Sequence, residues 1–341
     1  MGVNLRDIAN PRKISLEELN GKLLAIDAFN ALYQFLSIIR GMTGELLRDN
    51  KGHVTSHLSG LFYRNMNLLE TGLKLLYVFD GTPPSLKREE INRRRQVKVL
   101  AAAKYNEAIE KKDYVSAKKF ASATAYLEDD MIQDAKRLLD LMGIPWIQAP
   151  SEGEATAAYL TDKGTVDYAA SQDYDSLLFG ATRLVRNVTI SGKRKLPNKN
   201  VRVDVIPETV SLSDVLSANE ITREQLVDIG ILLGTDFNPD GFAGIGPATA
   251  LKLIKKYSKL EEIPQLKGKV SFDPQEIREI FLHPSVSTKE VNVVQKAPDK
   301  EKLVSFLVSE HDFSTERIEA ALSRLDVTKK KKSESLEQWF S

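Results

Sequence analysis

Four short apolar runs in the first half of the chain each lead into acidic residues, and this repetition limits the possible folds more than any other feature. Lys22 to Ile26 (KLLAI) runs into Asp27, and Leu73 to Phe79 (LKLLYVF) into Asp80. Ile144 to Ala149 leads to Pro150-Ser151-Glu152-Gly153-Glu154, and Asp167 to Ala170 to Ser171-Gln172-Asp173-Tyr174-Asp175. Apolar runs of this length, bounded by turn residues, read as buried strands. Helical periodicity lies between them: Ala28 to Ile39, an amphipathic stretch from Glu128 to Met142 with Gly143 as its C-cap, and a helix from the Glu154 turn to Asp162. Strand alternating with helix predicts an α/β core, a mostly parallel sheet flanked by helices. In such sheets ligands bind beyond the carboxyl ends of the strands. Asp27, Asp80, Glu152, Glu154, Asp173 and Asp175 therefore aim at one edge. Asp236, which follows the apolar stretch Leu226 to Leu233 and a glycine, is a candidate seventh.

Each carboxylate also has a purely structural alternative. Asp27 suits an N-cap, Ser151-x-x-Glu154 matches a capping box, and Asp80-Gly81 suits a turn. Jointly they demand more. Two carboxylates about 4 Å apart repel by roughly 4 kcal/mol at an effective dielectric of 20, so such a cluster needs cations or strongly raised pKa values. The chain has no cysteine and only four scattered histidines, which excludes thiolate chemistry and makes a His-rich metal site a poor fit. Hard divalent ions with oxygen ligands, chiefly Mg²⁺ with Mn²⁺ as a substitute, suit carboxylates, and two such ions about 3.5–4 Å apart would support in-line phosphodiester cleavage. Asp236-x-Asn238-x-Asp240-Gly241 begins like an EF-hand loop, but Pro247 stands where that loop needs a bidentate Glu.

The formal net charge is only +1, from 48 Lys and Arg against 47 Asp and Glu, yet the charge is segregated. Lys87 to Lys119 holds 11 Lys/Arg and 5 Asp/Glu, a local charge of +6, in a helix-forming stretch directly after the Asp80 turn. Gly244-Ile245-Gly246-Pro247 opens a helix bearing Lys252, Lys255 and Lys256, followed by Lys259. Free N–H groups at such a start hold phosphate without reading sequence. The alternative for both is solvated surface. No apolar run approaches 18 residues, and the N-terminus has no signal-peptide core, so an intracellular protein without a membrane span is expected, cytoplasmic if prokaryotic or archaeal.

Over essentially its whole length the sequence resembles the flap endonucleases, structure-specific 5′ nucleases of the archaeal and eukaryotic type. The resemblance rests on Met1-Gly2-Val3, Ala25-Ile26-Asp27-Ala28, Tyr33-Gln34-Phe35-Leu36, Thr55-Ser56-His57-Leu58, Tyr77-Val78-Phe79-Asp80-Gly81, Leu141-Met142-Gly143-Ile144-Pro145, Ala149-Pro150-Ser151-Glu152-Gly153-Glu154-Ala155 and Gly244-Ile245-Gly246-Pro247. It implies a SAF/PIN-like nuclease domain over 1–325, made of a first core part (1–83), a helical arch (84–127), a second core part (128–235), a helix-two-turns-helix element (236–260) and a C-terminal helical part (261–325). A flexible tail (326–341) would follow. By resemblance Asp80, Glu152, Glu154, Asp173 and Asp175 are the closer ligands of two Mg²⁺ ions, with Asp27 and Asp236 acting through water. Lys87 and Arg94 match the arch residues that contact the scissile phosphate. Tyr33 matches an aromatic on which a base near the cut stacks, Arg40, Thr55 and Arg64 match duplex or 3′-flap contacts, and Gly2, Gly244 and Gly246 match DNA-proximal positions. Ser333-x-x-Leu336-x-x-Trp339-Phe340 is similar to the motif that docks on a sliding clamp of the proliferating cell nuclear antigen type, with Ser where the family has Gln.

The implied function is cleavage of 5′-flap DNA near its junction with duplex, with accompanying 5′–3′ exonuclease activity, in replication and repair. A monomer is expected. The alternatives are a related 5′ nuclease preferring bubbles, nicks or four-way junctions, and a non-catalytic DNA-binding or clamp-recruiting subunit. The uninterrupted chain between the arch and the second carboxylate cluster favours the flap reading, because bubble-cutting relatives carry a long insertion there. The intact carboxylate set weighs against a scaffold.

Overall fold

The computed structural model describes residues 2–190, 192–195 and 202–340, with the backbone alone at 193–195, 202, 203 and 328–340. Its strands are β1 (Arg12–Lys13), β2 (Leu23–Asp27), β3 (Lys74–Phe79), β4 (Trp146–Gln148), β5 (Tyr168–Ala170), β6 (Arg183–Arg186), β7 (Gly192–Lys195), β8 (Arg202–Val205) and β9 (Glu208–Ser211). Seven of them form one sheet in the order β1-β9-β6-β5-β2-β3-β4, and β7 pairs with β8 in a separate antiparallel hairpin. The four strands expected from the apolar runs are β2 to β5, all parallel, and β6 extends the parallel block. β9 and β1 close that edge antiparallel. These strands escape an apolar-run search because RLVR in β6 buries only its two central residues between arginines and ETVS in β9 buries only alternate residues.

The helices are α1 (Arg6–Ala9), α2 (Ala28–Ile38), α3 (Ser56–Glu70), α4 (Arg88–Glu110), α5 (Tyr114–Ala121), α6 (Asp129–Leu141), α7 (Gly153–Asp162), α8 (Asp175–Leu178), α9 (Leu212–Asn219), α10 (Arg223–Leu233), α11 (Pro247–Tyr257), α12 (Pro274–Leu282), α13 (Lys300–Val304) and α14 (Thr315–Phe340). Strand pleating sends alternate side chains of β3 to opposite cores. Leu75, Tyr77 and Phe79 belong to one buried cluster with Leu32 and Phe35 of α2, Phe62 and Met66 of α3 and Leu138 of α6, whereas Leu76 and Val78 belong to the other with Ala158 of α7 and Leu226 and Ile229 of α10. Each such buried aliphatic or aromatic side chain stabilises the fold by roughly 1.5–3 kcal/mol. Tyr77 is fully buried, and its hydroxyl donates to Asn65 Oδ1 at 2.7 Å. With both faces of the central parallel strands covered, their ends are where those strands are free to carry charge.

The +6 segment forms α4 and α5, which pack on each other. α4 buries only Glu90, Ala101 and Ala108 along its 23 residues, as expected of a helix that stands off the core. Two boundaries differ from expectation. The helices bracketing the Gly244 loop are α10 and α11, so a helix-loop-helix unit begins at Arg223 instead of at 236, because the apolar stretch Leu226 to Leu233 is its first helix. The segment expected as a flexible tail, 326–341, continues α14 as far as Phe340. The side chains of Ser333, Leu336, Trp339 and Phe340 lie outside the described residues. Among the described residues no helix is long and apolar enough to cross a membrane.

Candidate active site

The loop chemistry explains how the sequence aims each carboxylate. Asp27 ends β2 and caps α2, its Oδ1 accepting from the Asn30 N–H at 2.9 Å, so its structural alternative holds alongside its place in the cluster. After β3, the Gly81 N–H donates to Ser151 O at 2.6 Å, and a Cβ at Gly81 would lie 2.2 Å from Ala149 O. Only glycine lets the two loops touch. Asp80 Oδ1 accepts from the Gly153 N–H at 2.7 Å, and a Cβ at Gly153 would lie 2.7 Å from that same oxygen. This explains the glycine between Glu152 and Glu154. Helix α7 has no side-chain cap, so Glu154 is no capping-box residue. Glu154 Oε1 instead accepts from Ser171 Oγ at 2.6 Å and Ser176 Oγ at 3.1 Å.

The N-terminal segment at Gly2 and Val3 closes the other side. Asp173 Oδ1 accepts from the Gly2 N–H at 3.0 Å, and Asp173 Oδ2 from Asn30 Nδ2 at 3.1 Å. Asp175 Oδ1 accepts from the Val3 N–H at 2.7 Å. Gly2 thus lies at the site as expected, with a Cβ there only 2.5 Å from that of Asp173.

Crowded carboxylates hold on to protons. Burial first, then Glu152, push Asp80 up to about 6. Burial first, then Asp173 and Asp236, push Asp175 up to about 7. Asp27 and Glu154 are driven well above the usual range, again by burial first, and then by Asp80 and by Asp175 respectively. Two cations from the segment before and within α4 offset this charge. Lys87 Nζ lies 2.5 Å from Glu152 Oε2 and 3.1 Å from Asp236 Oδ2. Burial would lower the Lys87 pKa, but Glu152 and Asp236 hold it above its ordinary value. Arg94 binds Asp236 through Nη2 and, through Nε, Glu90 Oε1 at 2.6 Å. Among the described residues no three of these carboxylates converge closely enough to hold one ion as they stand. Lys87 links Glu152 to Asp236 instead, and Arg94 joins Asp236 to Glu90. The donor set, all hard oxygen with no cysteine and no histidine, nevertheless fits Mg²⁺.

The XPG N-terminal domain model matches residues 1–101 and the XPG I-region model residues 143–236. A flap endonuclease 1 from Nitrosopumilus maritimus is 51% identical over 341 residues, 100% of both chains. The chain belongs to the flap endonuclease family. As a flap endonuclease it is a phosphodiester hydrolase. The solved flap endonuclease-1 of Methanococcus jannaschii matches with a TM-score of 0.76 and 40% identity, over 97% of this chain and 100% of that one. A Holliday junction-resolving enzyme solved with product DNA and Mg²⁺ shares the fold at a TM-score of 0.61 and 21% identity, over 94% of this chain and 76% of that one.

The positions that the resemblance assigns to DNA contact in this flap endonuclease divide into two groups. Gly244, at φ +81°, and Gly246, the N-cap of α11, have no neighbour within 4 Å of a Cβ position, so their backbone is open to a ligand. Tyr33 sits one turn beyond Asn30 on α2, and Lys98 of α4 lies over its ring at 4.3 Å from the centroid. Arg40, Thr55 and Arg64 are placed differently from a free contact surface. The Arg40 guanidinium turns inward, Nε donating to Leu36 O at 2.8 Å and Nη1 to Gly44 O at 3.0 Å and Thr124 Oγ1 at 3.3 Å. It ties the loop after α2 to the segment before α6. Thr55 is buried ahead of α3, and burial lowers the pKa of Arg64. Sequence reasoning missed Asn30, Ser171, Ser176 and Glu90. Glu90 alone had a local signal, its i,i+4 spacing to Arg94 on a helix.

Proposed function

We propose that this flap endonuclease cuts DNA 5′ flaps close to their junction with duplex, in Okazaki-fragment maturation and repair, with two Mg²⁺ ions held by the carboxylates and with 5′–3′ exonuclease activity beside the endonuclease. The observation that carries this reading is the set of seven carboxylates gathered at one sheet edge with Lys87 and Arg94 reaching in among them. Asp80, Glu152, Glu154, Asp173 and Asp175 would hold the ions, with Asp27 and Asp236 behind them. Bound there, the ions would neutralise the carboxylates and stabilise charge on the attacking and leaving oxygens. Lys87 and Arg94 exchange a carboxylate for the scissile phosphate, each leaving one anion for another, and their N–H donors meet the charge that grows on its oxygens. Glu90 keeps Arg94 aimed, and Asn30 keeps Asp173 aimed. Gly244, Gly246 and the exposed Lys252, Lys256 and Lys259 would hold duplex phosphates away from the cut, fixing register without reading bases.

Cleavage of matched 5′-flap, bubble and four-way substrates tests the reading. The flap is expected to be cut fastest, in Mg²⁺ and not in EDTA. Faster cutting of the bubble or four-way junction would assign the chain to a neighbouring specificity, and cutting in EDTA would remove the metal.

The tail motif supports docking on a sliding clamp through Leu336, Trp339 and Phe340, an apolar anchor, with Ser333 in the polar position. Deleting Ser333 to Ser341 is expected to leave cleavage by the free enzyme unchanged and to abolish its stimulation by the clamp. Stimulation that survives the deletion removes the motif from the account.

A further inference from the structure

We infer that Glu208 is a positioning residue for Asp173 and Asp175, fixing through Arg186 the loop that carries both acids and through Arg6 the N-terminal segment whose amides grip them. This rests on the metal-site reading above, in which both acids hold Mg²⁺, and it adds Glu208, Arg186 and Arg6 to the residues that shape the site. Glu208 opens β9 and is only 5% exposed, so its charge is out of water and needs partners. They come from two directions. Arg6 Nη2 lies 2.8 Å from Glu208 Oε1 and Arg6 Nη1 3.3 Å from Oε2, a two-pronged pair, and Arg186 Nη1 lies 3.4 Å from Oε2. Strand register puts Arg186 there, since in the antiparallel pairing of β6 with β9 it stands directly opposite Glu208.

Each arginine leads to the acids by its own route. Arg186 Nε donates to Gln172 O at 3.0 Å and Nη1 to Tyr174 Oη at 2.6 Å, with the guanidinium 4.0 Å from the centre of the Tyr174 ring. Gln172 and Tyr174 flank Asp173, and Asp175 follows Tyr174. One side chain therefore holds the loop on both sides of Asp173 and directly before Asp175. Arg6 begins α1, three residues after Val3. The Gly2 N–H donates to Asp173 Oδ1 at 3.0 Å and the Val3 N–H to Asp175 Oδ1 at 2.7 Å, so what fixes Arg6 also fixes the approach of these two amides. The routes part at Glu208 and meet again at the same two acids.

Apolar packing alone does not set this alignment. Val3, Leu5, Ile8 and Tyr174 are buried and anchor both segments to the core, but hydrophobic burial has no direction. A metal ligand must stay within about 0.5 Å of its productive position. The charge-assisted bonds of a planar guanidinium supply that direction. Glu208→Gln keeps the shape and the apolar anchors, removes the charge, and turns an NH₂ group, a donor, toward one of the two guanidinium groups, which are also donors.

Binding of Mn²⁺ to the DNA-free chain, followed by the EPR signal of unbound Mn²⁺, tests this beside single-turnover flap cleavage over a Mg²⁺ series and melting in EDTA. Glu208→Gln is expected to weaken Mn²⁺ binding about 10- to 100-fold and to shift the Mg²⁺ dependence of cleavage by a similar factor, with most of the rate regained at saturating Mg²⁺. Arg186→Lys, which keeps the charge and loses the fork, should do the same, and it carries the test if the Gln variant does not fold. Glu261→Gln is the control. Arg278 Nη1 and Nη2 lie 2.6 Å and 2.7 Å from the Glu261 carboxylate, a similar two-pronged pair that ties α12 to the segment after α11. Breaking it should lower the melting temperature and leave Mn²⁺ binding unchanged. Unchanged Mn²⁺ binding in the folded Glu208 or Arg186 variant, or equal weakening in Glu261→Gln, overturns the positioning role whatever the melting temperatures. An unmodified chain that binds no Mn²⁺, or binding that Asp175→Asn leaves unaltered, overturns the metal reading instead, which separates the two.

Discussion

Asp175→Asn is expected to slow single-turnover cleavage by about 10³-fold while raising the melting temperature measured in EDTA. The loss follows from the role of the charge. Removing one ligand of a catalytic metal forfeits several kcal/mol of transition-state stabilisation, and about 4 kcal/mol corresponds to ~10³ in rate. An Asn carbonyl can still accept from the Val3 N–H, which Asp175 now does at 2.7 Å, so the loop stays in place. The gain follows from burial. Asp175 is pushed up to about 7, by burial first and then by Asp173 and Asp236, against about 3.9 in an unfolded chain. A carboxyl with a raised folded pKa lends full stability below pH about 4 and loses it as pH rises toward 7. At pH 7.5 the ionised group therefore opposes folding, and Asn relieves that by roughly 1–3 kcal/mol, a few degrees in a chain of this size. The melting difference should shrink as the pH is lowered toward 4. A variant that melts earlier than its parent in EDTA, or one that retains more than a tenth of the rate, would contradict the metal-site assignment.

Lys87→Met is expected to lower the single-turnover rate by about 10²–10³, the loss typical of one preorganised donor to developing charge. Substrate affinity should change less than tenfold, because one phosphate contact among many contributes little to binding. Its effect on stability has the opposite sign to that of Asp175→Asn. Lys87 Nζ sits 2.5 Å from Glu152 Oε2 and 3.1 Å from Asp236 Oδ2, and its side chain is only 15% exposed. Breaking a largely buried pair leaves uncompensated charge and costs about 3–5 kcal/mol in fully buried cases, so a smaller but clear drop in the EDTA melting temperature is expected here. Added Mg²⁺ should restore much of it. If both variants shift the melting temperature in the same direction, the opposed-charge account of the site is wrong.

The carboxylates were legible because two local patterns coincide in them. An apolar run marks a buried strand, and an acid directly after it marks the strand's ligand-facing end, so Asp27, Asp80, Glu152, Glu154, Asp173 and Asp175 needed no knowledge of distant contacts. β6 and β9 were not legible for the converse reason, since β6 has only two apolar residues between arginines and β9 buries only alternate residues, so neither offers an apolar run to find. Arg40 shows what position along the chain leaves open. A long cationic side chain reaches several partners, and here backbone carbonyls at Leu36 and Gly44 take it. Which partner it takes depends on loop packing, which no periodicity encodes.

Sequence alone determined the class of fold, the edge of the sheet to which the acids are brought and the all-oxygen character of that set. Those follow from local order: apolar runs, the acids that end them, and the absence of cysteine. Only the tertiary structure decided that Lys87 and Arg94 bridge the carboxylates, that the amides of Gly2, Val3 and Gly153 hold three of the acids, and that Lys98 faces Tyr33 and Tyr126 together. Each of these joins residues far apart in the chain, and the pairing is set by how helices and loops pack over the sheet, where a shift of an ångström exchanges one partner for another.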